Sequence, residues 1–282
     1  MKKEMEEVST RRQQFKSIIK VHTDSVFTIS IIVGLFAIPL FVGIVWSRMS
    51  GLEILSRMNT ASVNELQQLV SELFSLYFTS SLILVPCFML FAVGLGGGFS
   101  VMKHIVWRDN IHFKENFLSG LKNYKSSLLL GFLCGLVNMS RSLLDWYTLI
   151  AIENKVWLIV ITVIETFVIA LVCISVLYAF SLNSVYKLTI FQCIKNSVIL
   201  TFSKILHNLA ILIAICLPVL ILLIDSSVIG IVIVESVFWL FYIGVSITLF
   251  VLYSYSRFDV IINKDSYPQL VNKGLKVIGE DK

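Results

Sequence analysis

Charge inside an apolar run is the costliest feature of this sequence, and the one with the most chemistry in it. Glu165 lies nine residues into the run Val156 to Phe180, about 14 Å along a helix rising ~1.5 Å per residue, a depth close to the middle of a bilayer. Glu235 lies about 10 Å into a second run by the same measure. Arg141 and Asp145 stand one helical turn apart near the end of a third, and Asp225 falls at a turn, Asp225-Ser226-Ser227. Polar residues accompany these groups at helical spacing: Cys134, Asn138, Arg141 and Asp145; Thr162, Glu165, Thr166 and Cys173; Glu235, Trp239, Tyr242 and Ser246. Three such stripes predict a polar interior shared by three helices. An ionisable group at that depth marks a path for an ion, proton or ligand. Alternatively Arg141 pairs with Glu165 or Glu235 as interhelical glue, a contact often worth only about 0.6 kcal/mol. The two readings differ in protonation, because a lone buried carboxylate takes up a proton and a paired one stays ionised.

Other chemistries find no residues to carry them. Gly94-Leu95-Gly96-Gly97-Gly98 follows no strand and precedes no Lys-Ser/Thr, so it does not read as a phosphate-cradling loop; glycine there suits close helix packing or a change of direction. Cys87, Cys134, Cys173, Cys193 and Cys216 show no CxxC or His/Cys spacing, which argues against a metal site and against disulfides. The four histidines, His22, His104, His112 and His207, are scattered, and no nucleophile elbow or HExxH motif is present. The expectation is a non-enzymatic chain without a cofactor.

The elements that would position these groups are membrane helices. Hydrophobic residues make up 57% of the 282 and charged residues 15%, with a mean hydropathy of +0.86, whereas a soluble domain carries roughly 25% charge. Ile205 to Ser256 contains no Lys or Arg and is long enough for two spans of about 20 residues. Four more runs precede it: Ser25 to Trp46, Phe74 to about Leu95, Ser127 to about Leu144, and Val156 to Phe180. The fold class is therefore an all-α polytopic bundle of six transmembrane helices. Its divisions are a basic segment over 1–24, the membrane domain over 25–256 and a polar tail over 257–282. Ser62-Val63-Asn64-Glu65 has the form of a capping box, which predicts a helix starting there and rising into the second span. Between spans, Val101 to Ser126 sets Phe113, Phe117, Leu121 and Tyr124 on one stripe with Lys103, Arg108, Lys114, Lys122 and Lys125 off it, as in a helix lying in the membrane interface. Ser181 to Ile205 reads as a second surface helix. Of the 23 Lys and Arg, only Arg48, Arg57, Arg141 and Lys155 fall on the side opposite to those loops and the two ends. The positive-inside rule then puts both termini in the cytoplasm. Trp46, Trp146, Tyr147 and Trp157 lie at the proposed outer boundary, where amphipathic rings prefer to sit. Pro39, Pro86 and Pro218 fall inside spans, tolerated there as static kinks. The basic excess reports topology and anionic lipid rather than nucleic acid.

The central part of the chain resembles the YesL-like family of bacterial membrane proteins. The likeness runs from Gly94 through Phe99-Ser100-Val101-Met102-Lys103-His104, Phe113-Lys114-Glu115-Asn116-Phe117 and Leu121-Lys122-Asn123-Tyr124-Lys125-Ser126-Ser127, with Leu177-Tyr178-Ala179-Phe180 and Lys195-Asn196-Ser197 further on. Gly96-Gly97-Gly98 departs from the Gly-Pro-Ala-like turn expected of that family. The resemblance implies a small polytopic protein of the cytoplasmic membrane associated with carbohydrate uptake, and brings no catalytic residues. Two functions follow as expectations: an accessory or regulatory component acting on a transporter or sensor subunit through its basic inner surface, or a small permease using the carboxylate-lined cavity.

Overall fold

The computed structural model describes residues 10–109, 112–151, 154–220, 233 and 236–275. They are helical almost throughout, with no strand among them: α1 (Arg11–Val21), α2 (Thr23–Met58), α3 (Val63–Trp107), α4 (Phe113–Leu121), α5 (Tyr124–Ala151), α6 (Lys155–Val185), α7 (Ile190–Ser203), α8 (Ile205–Ile215), α9 (Leu217–Leu220) and α10 (Ile243–Phe258). Five helices are long and apolar enough to cross a membrane, or six if the bent pair α7–α8 forms one span. The all-α polytopic class is thus what the fold shows.

The capping box forms as its residues dictate: the Ser62 N–H and hydroxyl both donate to Glu65 Oε2, at 2.8 and 2.7 Å. The helix it starts is 45 residues long and its partner α2 is 36, about 68 and 54 Å at ~1.5 Å per residue, against a hydrocarbon core of about 30 Å. Beyond Trp46 the α2–α3 pair therefore continues as an antiparallel hairpin, with Arg57 paired to Glu72 at 3.3 Å. Both helices pass through Pro39 and Pro86 without a break.

The glycine-rich stretch does not change direction. α3 runs straight through it, and the small residues let neighbours close in: a Cβ on Gly120 of α4 would lie 2.5 Å from the Gly96 carbonyl oxygen and 2.8 Å from Gly97 Cα. Along the same helix α5 makes a second backbone approach, where a Cβ on Gly131 would come within 2.6 Å of Met89 Cα. Small residues at such crossings replace the hydrophobic drive that lipid removes. On the other side of α3 the centre of the bundle is filled by rings. Phe99 stacks on Phe180 (5.6 Å between centroids) and meets Phe250 edge-on, which in turn meets Tyr178 at 5.2 Å; all four side chains are fully buried.

The interface helix expected over Val101 to Ser126 is instead three pieces. Arg108, in the left-handed conformation (φ 57°), closes α3; α4 follows, and α5 begins at Tyr124. Phe117 turns into the protein, 6.2 Å from Phe36 and against Gly97, with Phe113 stacked on it. Phe113, Phe117 and Leu121 of the stripe pack against the core, where the glycines leave a recess for the Phe117 ring, while Tyr124 stays exposed. The surface helix expected after span four is α7, which leaves Phe191, Ile199, Phe202 and Lys195 exposed and meets α8 at 100°.

The flanking segments fold onto the cation-rich end. α1 buries Ile18 completely. Arg11 pairs with Asp259 at 2.8 Å, both largely buried, and donates to the Lys273 carbonyl; Gln14 donates to the carbonyls of Val106 (2.7 Å) and Gly274 (3.1 Å). Gly274 sits at φ 85° with Val106 O only 2.0 Å from where a Cβ would stand, so no other residue fits.

Candidate functional site

α5 and α6 bring two of the expected network residues together. Arg141 and Glu165 line one cleft of about 420 Å3, whose other walls are apolar, among them Val137, Leu144, Ile161 and Val168. Both side chains are partnered. Asn138, one turn before Arg141, has its amide nitrogen buried with no hydrogen bond among the described residues. Asp145 continues the α5 helix, and its side chain, together with Asp225 and Glu235, lies outside the described residues. The cleft adjoins a second of about 440 Å3, floored by Leu130, Leu133, Val172 and Val176 and closed at one end by Ile194 and Phe202 of α7. The two share Val137, Ser140 and Val168, so they form one groove along α6.

The third stripe has a different use. Pro218 lacks the N–H that would donate to the carbonyl four residues back, and that carbonyl, Ala214 O, accepts instead from the Tyr242 hydroxyl at 2.7 Å. Ser246 donates to the next one, Ile215 O, at 3.4 Å. The turn Phe238–Tyr242 is itself a π-helical turn, which displaces the backbone pairing of its helix. Ser30 of α2 repairs it by accepting from Gly244 N–H (2.8 Å), its hydroxyl lying 3.1 Å from Phe241 O. Tyr242 and Ser246 are thus occupied by backbone groups freed by a proline.

A site that the spacing did not point to is Asn208, 1% exposed in α8. Its carbonyl oxygen accepts from Tyr178 (2.9 Å) and Tyr253 (2.7 Å), and its amide donates to Leu200 O (3.1 Å) and Thr201 O (2.6 Å). Those two carbonyls belong to the last turn of α7, where a helix has no internal donors left. One residue therefore closes α7, sets the 100° bend and ties α6, α7, α8 and α10 together. Ser175 and Thr201 add a contact at 2.9 Å across α6 and α7.

The basic face divides. Lys114, Lys122 and Lys125 are exposed. Arg108 ends α3 and is partnered. Lys103 and Lys273 both lie over the Trp107 ring, at 5.2 and 3.8 Å from its centroid, a cation–π pair. Nearby, burial and then the Asp259 carboxylate push the Tyr186 phenol up, keeping it a donor to Asn263 at 2.5 Å.

No family model, no curated protein and no solved structure matches the chain.

Proposed function

We propose that the protein is a non-enzymatic accessory component of the bacterial cytoplasmic membrane, with α1, α4, α7 and the tail in the cytoplasm, and that it works by holding an apolar transmembrane helix of a partner against α6. The observation that carries this is the emptiness around α6. Only 6% of its most apolar stretch is buried among the described residues, against 33% in α2 and in α3 and 50% in Ile243–Ser266. Val163 and Ile164 point about 100° apart on a helix, yet they are 62% and 58% exposed. A helix that merely faces lipid covers one side on its own bundle; among the described residues this one is fully buried only toward its inner end, through Ile174, Tyr178 and Phe180. The groove beside it ends at Arg141 and Glu165, polar groups that would fix the register of an incoming helix. The cation asymmetry supports the orientation, and the YesL-like resemblance suggests a carbohydrate-uptake system as the assembly.

A permease finds less support. The bundle centre is packed with Phe99, Tyr178, Phe180 and Phe250, and the large clefts open sideways. The test is a photocrosslinking residue placed at Val163 or Ile164, with Phe27 on α2 as the control. The same single membrane protein should be captured from both α6 positions and not from position 27. Adducts to lipid alone, or an identical mixture from all three positions, would reject the reading.

A further inference from the structure

Where α3, α4, the turn after α4 and the inner end of α6 converge, the protein holds a cavity unlike the apolar groove. It encloses about 120 Å3 and is lined by Ser100, Lys103, Ser119, Asn123, Asn183 and Ser184, with the close Gly96–Gly120 crossing forming its back. That volume is several times the ~10–15 Å3 needed to admit one water. Three hydroxyls, two carboxamides and one ammonium meet there, and no carboxylate among the described residues lines it. The hydroxyls are not locked away. Ser100 and Ser119 share a 2.9 Å contact, while Ser119 and Ser184 donate to carbonyls three residues back in their own helices, Asn116 O and Ser181 O, and Ser184 also meets the Tyr255 phenol. Such local bonds exchange readily for a better acceptor. The Trp107 face steadies the Lys103 ammonium without neutralising it. Asp109, the acid in that neighbourhood, ion-pairs with Lys273 (3.9 Å) and lies 3.7 Å from the His104 imidazole, and its charge also reaches Lys103 without lining the cavity. At the mouth, Ser119 and Asn123 are exposed, and Asn123 is flanked by the exposed Lys122 and Lys125, which would raise the local concentration of an anion.

We propose that this cavity binds a phosphate group, with Lys103 supplying the opposing charge and Asn123, Asn183 and the serine hydroxyls donating to its oxygens. A donor-lined pocket of single positive charge and this size suits a tetrahedral oxyanion, whose several oxygens can use all of those donors at once. The group can arrive on a soluble phosphate or on the headgroup of an anionic lipid.

The experiment uses the full chain in a maltoside detergent, titrated separately with inorganic phosphate, short-chain phosphatidylglycerol, and potassium chloride at matched ionic strength, reading the melting temperature and phosphorus NMR line width. Phosphate, phosphatidylglycerol or both should raise the melting temperature saturably where chloride does not. A response to the lipid alone assigns the site to a headgroup, and a response to both shows that the phosphate group suffices. Lys103→Gln should weaken binding about tenfold or more, the loss of one charge-assisted hydrogen bond. Asn123→Ala, at the exposed rim, should weaken it by a few-fold with an unchanged melting temperature in chloride, and it decides the matter if Lys103→Gln does not fold. The proposal is overturned if neither phosphate compound exceeds chloride, or if the variants that fold bind as the wild type does.

Discussion

Replacing Asn208 by Leu tests the claim that one amide holds the bent half of the molecule. The substitution keeps the side chain about the same size, so its cost is polar rather than a cavity. Four hydrogen bonds disappear, to Tyr178, Tyr253, Leu200 O and Thr201 O, and the two carbonyls close the last turn of α7 in a place that water does not reach. At about 0.6–1 kcal/mol per bond, between the average for membrane polar contacts and that for soluble proteins, the loss is about 2–4 kcal/mol. For a chain of this length that is a fall of about 3–7 °C in melting temperature. Tyr178→Phe and Tyr253→Phe each remove one donor and leave the rest of the node, so each should cost about a quarter as much. The assay is intrinsic-fluorescence melting in nanodiscs with amide hydrogen exchange across residues 196–208. Asn208→Leu should raise exchange in that segment well before the α2–α3 pair responds. A variant that melts with the wild type, or loses no more than either Tyr→Phe change, would refute the assignment of the bend to Asn208.

Two further outcomes follow from named groups. If Arg141 and Glu165 hold each other in their cleft, Glu165→Gln should lower stability by about 1 kcal/mol or more in a thermal melt, and Arg141→Met with Glu165→Leu should recover at least half of it, as removal of a whole buried pair commonly does; a stable Glu165→Gln protein that has lost its cellular phenotype would make Glu165 a pathway residue instead. Burial lowers the His22 pKa from its ordinary 6.5 at the α1–α2 joint, so the unfolded chain binds the proton more readily. Stability contributed by neutral His22 is then complete above about pH 6.5 and is lost as pH falls through the depressed value. Melting between pH 8 and 5 should show this slope in the wild type and not in His22→Gln, and equal slopes would reject it.

How far the sequence could be read depended on whether the partner lay nearby in the chain. The cap at Ser62 needs only Glu65, three residues on, and the first four spans need only their own apolar runs; both stood as the spacing implied, whereas the hairpin turn expected at Asp225 lies outside the described residues. The stripe Cys134-Asn138-Arg141 was visible, and so was Glu165, because charge in an apolar run is conspicuous. What Tyr242 and Ser246 do was hidden, since it requires knowing that Pro218, 24 residues before Tyr242, frees a carbonyl at Ala214. Asn208 gave no signal at all: a single amide in an apolar run is unremarkable until Tyr178 and Tyr253, 30 and 45 residues away, are seen to converge on it. The Phe113/Phe117 stripe misled for the complementary reason. Its period is the same whether the apolar face meets lipid or protein, and only the recess at Gly97 distinguishes them.

The clasp between α1 and the tail bears on how the protein is made. Arg11 finds Asp259 across 248 residues and the Lys273 carbonyl across 262, so its partners are synthesised only after all the earlier spans. Until then the guanidinium has water as its company, and Gln14 has only the Val106 carbonyl of its two acceptors. Contacts of such sequence separation form late. The cation-rich end is accordingly the last region to set, and truncation directly after residue 258 removes Asp259 and the Lys273 and Gly274 carbonyls from the first helix while leaving its bond to Val106.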